Sequence, residues 1–241
     1  GSSICLGENN FLEKFYRSAP IGITVEGSNT LTRNLIIFGQ GLNKSHPYIY
    51  PILESILEDD QKKFEKGFNK ILFHSLSLYT NSFIPNLGSD INSKLNKQIA
   101  DFANLSNFVA LKGGAIKREQ FLSADMADIF SNLYLAYAVR YYEENNNISK
   151  YITQYCIDRL VEENQMIINR VISNIGILGI PLIHMKKNVK VDSYKDRENV
   201  INEIMNNKNI IENIRENLYE KDTILEKLNK LNDLDLKSEQ Y

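Results

Sequence analysis

The segment with the clearest capacity for chemistry is IGITVEGSNTLTRNLIIFGQG, residues 21–41. Glu26 stands on a short extended stretch that ends at a glycine, just ahead of a run with helical period. Gly27 lets a ligand or another stretch of backbone approach closely. Two influences act on such a carboxylate. The start of the following helix favours the ionised form, whereas desolvation by a bound apolar chain favours the neutral one. A carboxylate held between them can serve as a general base once a substrate expels water from it. A Glu-Gly turn before a helix is more often a structural entrance, and its residue types alone do not establish catalysis.

The elements that must position Glu26 read as helices on both sides. Residues 8–18 are expected to form a short helix that Pro20 terminates. Residues 21–27 then run extended, and a second helix covers residues 28–38 with Ser28 or Asn29 as N-cap. Gly39 and Gly41 are expected to end it. The next helix carries Pro47 and Pro51 near its start, where a missing N–H costs least. Residues 60–83 place Phe64, Phe68, Ile71, Ser75 and Tyr79 on one stripe. Residues 90–111 form a further helix closed by Gly113 and Gly114. The strongest periodicity runs from Glu119 to Glu144 through Leu122, Met126, Ile129, Leu133, Tyr137 and Tyr141. Residues 148–175 repeat it through Ile152, Tyr155, Val161, Ile168, Val171 and Ile175. These stripes are core faces rather than cofactor boxes, so the fold class expected is all-α, a helical bundle. After Ile183 the composition shifts to Asn, Lys, Asp and Glu, which reads as short amphipathic helices and a tail.

Composition narrows the function classes. Across 241 residues, 28 basic and 30 acidic side chains give a net charge of −2. That balance offers no footprint for a phosphate backbone, and the one basic cluster, Lys186, Lys187 and Lys190, is short, so no nucleic-acid partner is expected. The two cysteines, Cys5 and Cys156, sit in no CxxC motif and read as reduced thiols in a cytosolic setting. His46, His74 and His184 lack metal-ligand spacing, so no metal site is expected. The most apolar run, Ile177 to Ile183, is far shorter than the roughly 20 residues a membrane span needs. The expected location is cytoplasmic, with peripheral membrane attachment left open.

The wording of the Glu26 segment resembles the acyl-CoA dehydrogenase signature. Its Glu-Gly pair, small hydroxyl residue and helical arginine fall on Glu26, Gly27, Ser28 and Arg33. ITVEGSNTLTRNLIIFGQG followed by HPYIYP is similar to the large bacterial acyl-CoA dehydrogenases with an extra C-terminal helical domain. GSSICLGENNFLEKFYRSAP upstream and LKGGAIKREQFLSADMADIFSNLYLA, residues 111–136, extend the likeness over roughly residues 1–185.

That resemblance implies a division into residues 1–44, the end of the dehydrogenase's own helical domain carrying Glu26; residues 45–190, the extra helical domain; and residues 191–241, short helices and tail. It implies that Glu26 removes the α-proton of an acyl-CoA while a hydride passes to FAD, giving a trans-2-enoyl-CoA in fatty-acid β-oxidation. It further implies that Gly27 lies near the thioester, that Ser28, Asn29 and Thr30 contact FAD, and that Arg33 anchors the turn. The family's N-terminal helical and middle β domains, which hold most of the flavin, are expected as partners, together with homo-oligomerisation and an electron acceptor of unspecified identity. By itself the chain is expected to bind FAD poorly and to be inactive. Alternatively, residues 60–185 are a non-catalytic scaffold. On that view Lys117, Arg118, Asp125 and Asp128 form ion pairs at one helix entrance and serve as a docking surface.

Overall fold

Helix signals dominate the chain, and the computed structural model is helical in every described element. It describes residues 12–25, 31–84, 88, 90–146, 148–190, 193–215 and 230. The chain divides into two compact units: residues 29–206, and residues 1–28 with 207–241. In the second of these, α1 spans Leu12–Val25 and α9 spans Lys208–Arg215. Pro20 lies inside α1 rather than ending it, so residues 21–25 are helical where an extended run was expected. Proline removes one donor, leaving the Tyr16 carbonyl without its helical partner. Tyr16 is exposed, so solvent can satisfy that group.

The larger unit is a helical bundle. It comprises a π-helix at Thr32–Gln40, then α2 (Gly41–Ser45), α3 (Ile49–Leu57), α4 (Gln61–Ser82), α5 (Ile91–Ala110), α6 (Gln120–Asn145), α7 (Lys150–Asn174) and α8 (Tyr194–Asn206). Two 3-10 segments, Gly113–Lys117 and Gly176–Met185, connect α5 to α6 and follow α7. Gly39 and Gly41 do not stop the helical path; Gly41 sits in the right-handed helical region at φ −57° and the chain coils on to Ser45. The true stop is His46, extended at ψ 125°, because the ring of Pro47 excludes helical backbone in the residue before it. Ser28 and Asn29, expected as N-cap, lie outside the described residues. Asp60 and Asp90 cap α4 and α5 by accepting from the backbone N–H of Lys63 and Ser93.

α6 and α7 form the central pair, with the π-helix laid along α6 and α5 against α7. Leu105, Val109, Met126, Ile129, Ile168 and Val171 are buried in one cluster, sealed by Leu182 and Met185 of the second 3-10 segment. Each such side chain contributes about 1.5–3 kcal/mol by leaving water. Leu122, Met126, Ile129 and Leu133 face this core as their spacing requires, but Tyr137 and Tyr141 of the same stripe are exposed. The buried face shifts to Ala136, which packs with Leu95 and Ile157 in a second cluster, and Tyr137 instead donates to Asn96 Oδ1 at 3.1 Å. On α4, likewise, Phe64 and Phe68 stack on each other at the surface. α4 buries Gly67, whose missing Cβ makes room for Ile52 of α3.

A polar node locks α5, α6 and α7 together. Buried Asn164 of α7 donates to Gln98 Oε1 of α5 at 3.1 Å and to the Ile129 carbonyl of α6 at 3.2 Å. Gln98 in turn donates to the Val161 carbonyl at 2.8 Å. Asp101, almost fully buried, is held by Lys97 at 2.6 Å and Lys187 at 3.3 Å.

Candidate functional site

Glu26, Gly27, Ser28, Asn29 and Thr30 lie outside the described residues. The described structure begins again with the helix that follows them, and Arg33 is the first residue of the motif it places. The Arg33 guanidinium makes a forked, two-point salt bridge to Asp128 of α6, its Nε donating at 2.6 Å and its second nitrogen closing the fork. This pairing raises the arginine's pKa. Asn34 and Phe38, four residues apart on one face, are buried beneath it. The helix downstream of Glu26 is therefore pinned to the bundle by one ion pair and one aromatic plug.

Lys117, Arg118, Asp125 and Asp128 do not form the ion pairs expected along one helix entrance. Asp128 pairs with Arg33, and Asp125 takes a second forked salt bridge from Arg170 of α7 at 2.7 and 2.8 Å. The two carboxylates project from α6 toward different neighbours, so tertiary partners replace local ones. Planar bidentate geometry favours Arg over Lys at both positions.

Two histidines that are distant in sequence meet. The His46 and His74 rings lie 5.5 Å apart edge to face, and Tyr48 packs against both. His46 Nδ1 accepts from the Tyr48 backbone N–H at 3.2 Å. Burial pushes the His46 pKa below its ordinary value, and the neighbouring His74 adds to that. These rings flank a cleft of about 260 Å³ between the π-helix, α2, α4, α5 and α6. Its walls are Ile37, Leu42, Phe102 and other apolar side chains, with Ser106 and Asn107 among the lining and no charged group.

A larger cleft of about 560 Å³ lies between α7 and α8, lined by Asp158, Glu162, Glu163 and Asp196 alongside Arg159, Lys190 and Arg197. Neither cleft suits a flavin dinucleotide. The first offers no charge to its diphosphate, and the second sets four carboxylates against three cations, a lining that is negative on balance.

A serine–histidine pair also escaped the sequence reading. Ser82 Oγ lies 2.8 Å from His184 Nε2, and His184 Nδ1 lies 2.9 Å from the Pro181 carbonyl. Ser82 is buried and lines neither cleft, and the His184 ring stacks on Phe83 with centroids 3.8 Å apart. The pair ties the second 3-10 segment to the end of α4. Its sequence separation of 102 residues carries no motif. Among the described residues no cluster of three or more His, Cys, Asp and Glu side chains is grouped to hold a metal ion, and no helix is long and apolar enough to cross a membrane. Cys156 is a free thiol whose pKa is raised by burial against the opposing pull of Arg159.

Against known proteins, the family described as the bacterial-type C-terminal domain of acyl-CoA dehydrogenase matches residues 43–238. The match begins after Glu26 and includes α3 to α8. A stretch of 116 residues is 36% identical to a UDP-glucose 6-dehydrogenase from Streptococcus pneumoniae, covering 41% of this chain and 28% of that protein. No solved structure matches the chain.

Proposed function

This chain belongs to the bacterial-type C-terminal family of acyl-CoA dehydrogenases, and from that premise we propose that it is the C-terminal part of a flavin-dependent enzyme oxidising medium- to long-chain acyl-CoA to trans-2-enoyl-CoA in fatty-acid β-oxidation. The carrying observation is the order of segments. VEGSNTLTR, residues 25–33 with Glu26 as its second residue, ends ten positions ahead of residue 43, where the family match begins. In this reading residues 1–44 close the dehydrogenase's helical domain, residues 45–190 form the additional helical domain, and residues 191–241 supply short helices and a tail.

Glu26 acts as the base. It accepts the proton from the carbon next to the thioester as substrate displaces its water, and charge developing on the thioester oxygen is met by the Glu26 backbone N–H. Gly27 allows the thioester to approach. FAD, contacted by Ser28, Asn29 and Thr30, supplies the redox chemistry. Because neither described cleft is built for a diphosphate, the remaining dehydrogenase domains hold most of the cofactor.

The test uses the chain assembled with those domains. Glu26→Gln should reduce acyl-CoA turnover by about 10²–10⁴-fold, the scale of general-base catalysis, while the flavin absorbance of the assembly stays unchanged. Turnover near the wild-type rate overturns the role of Glu26.

One observation favours a second reading, a helical docking module. α4 exposes Phe68, Leu72, Phe73 and Leu76 along its surface, an apolar row of the kind that protein partners cover. If that reading holds and Glu26 is a relic, the assembly forms and binds flavin, yet the glutamine variant changes nothing.

A further inference from the structure

Apart from Ser106, the serines buried in these helices are paired. Ser55, Ser82 and Ser123 donate to backbone carbonyls at 2.7, 2.6 and 3.1 Å. Ser106 of α5 does not. It is only 8% exposed, lines the 260 Å³ cleft, and its Oγ has no hydrogen-bond partner among the described residues. Its neighbour Asn107 also lines the cleft, and its buried Nδ2 is in the same condition. Buried polar groups are nearly always paired, and an unpaired one calls for an explanation. Two adjacent donors without acceptors, both at one cleft, point to an acceptor brought by a ligand.

The cleft specifies the rest of that ligand. Ile37, Leu42, Ile99 and Phe102, with the Phe130 ring, give it an apolar body site, open where Ile99 and Phe130 are partly exposed. Its volume exceeds the roughly 150 Å³ that accommodates benzene in an apolar cavity and falls just short of the roughly 300 Å³ at which drug-sized pockets begin. Its lining contains no Asp, Glu, Lys or Arg, so a charged ligand would lose its hydration without a counter-charge. Of the groups lining the cleft, Ser106 Oγ and Asn107 Nδ2 are the ones both buried and without a partner among the described residues.

The geometry points to a binding site for a small uncharged molecule with an apolar body and one carbonyl oxygen, the body seated among Ile37, Leu42, Ile99 and Phe102 and the oxygen accepting from Ser106 Oγ and Asn107 Nδ2. This site is independent of the role given to Glu26 and does not involve it.

The experiment titrates the full chain with 4-phenyl-2-butanone, an uncharged aryl ketone, following backbone and side-chain amide resonances by NMR. Saturable shifts at Ser106 and the Asn107 side chain are expected. Ser106→Ala should weaken binding about fivefold, the scale of one neutral hydrogen bond. Ala103→Phe, which fills the cleft, should abolish it with helical circular dichroism retained. 4-Phenylbutyrate, similar in shape but anionic, should bind at least about tenfold more weakly. Absence of saturable binding, equal affinity for ketone and carboxylate, or unchanged affinity in Ser106→Ala each overturns the site. Should Ala103→Phe lose helicity, the serine variant and the carboxylate comparison decide the matter alone.

Discussion

At the scale of single residues, the chain places chemistry-bearing groups in two different ways. Glu26 is conspicuous because its neighbours in sequence form a motif. His46 is conspicuous only in space, where it meets His74 and Asn107 across three elements. Its lowered pKa makes stability depend on pH with a definite sign. The folded state resists protonating His46 while the unfolded chain takes up the proton at the ordinary value of 6.5. Stability from keeping the ring neutral is therefore complete above that value. It declines as pH falls through 6.5 toward the lower folded pKa, then levels off. Chemical denaturation at about pH 7.5 and about pH 5 should show a loss in the wild type that His46→Asn reduces. An equal loss in both proteins would assign the pH dependence to other groups.

Elements are held by devices that no local pattern announces. The π-helix is attached through Arg33 to Asp128, with the two side chains 47% and 31% exposed. Partial exposure limits the value of that bridge to about 0.5–1 kcal/mol. Thermal or urea unfolding of Arg33→Ala, Asp128→Ala and the double variant should show the second substitution adding little to the first; full additivity would mean that the pair contributes no coupling. The second 3-10 segment is attached by close approach. A Cβ on Gly179 would lie 2.2 Å from the Ile172 carbonyl oxygen of α7, so Gly179→Ala should destabilise the bundle by about 1–3 kcal/mol. The segment starts at Gly176, whose φ of +68° suits glycine where α7 ends. A urea midpoint unchanged in Gly179→Ala would show that the segment moves aside without cost.

For the whole molecule, the division into two compact units has a direct consequence. Residues 29–206 contain the buried cluster around Met126 and Ile168 and the Asn164–Gln98 node, so this stretch should fold without the rest. Expressed alone, it should show helical circular dichroism and one cooperative melting transition. Lacking Glu26, it should support no acyl-CoA turnover when combined with the remaining dehydrogenase domains. A broad, non-cooperative melt would show that the bundle depends on the other unit.

Periodicity alone was sufficient for the all-α class and for α4 to α7, because a long amphipathic helix writes its buried face into every third or fourth residue. Family likeness was equally legible, since the segments around residues 21–41 and 111–136 carry it in their order, and the family match over residues 43–238 bears it out. Helix ends were less so: Pro20 and Gly41 lie within helical runs because a single proline or glycine costs less than a solvated turn or a packed face can offset. Tertiary structure decided what no spacing encodes. Asp125 and Asp128 found arginines on other elements, Ser82 found His184, and Ser106, Asn107, His46 and His74 were gathered at one cleft. Those encounters depend on how helices cross, and crossing is set by the summed packing of the core rather than by any short stretch of residues.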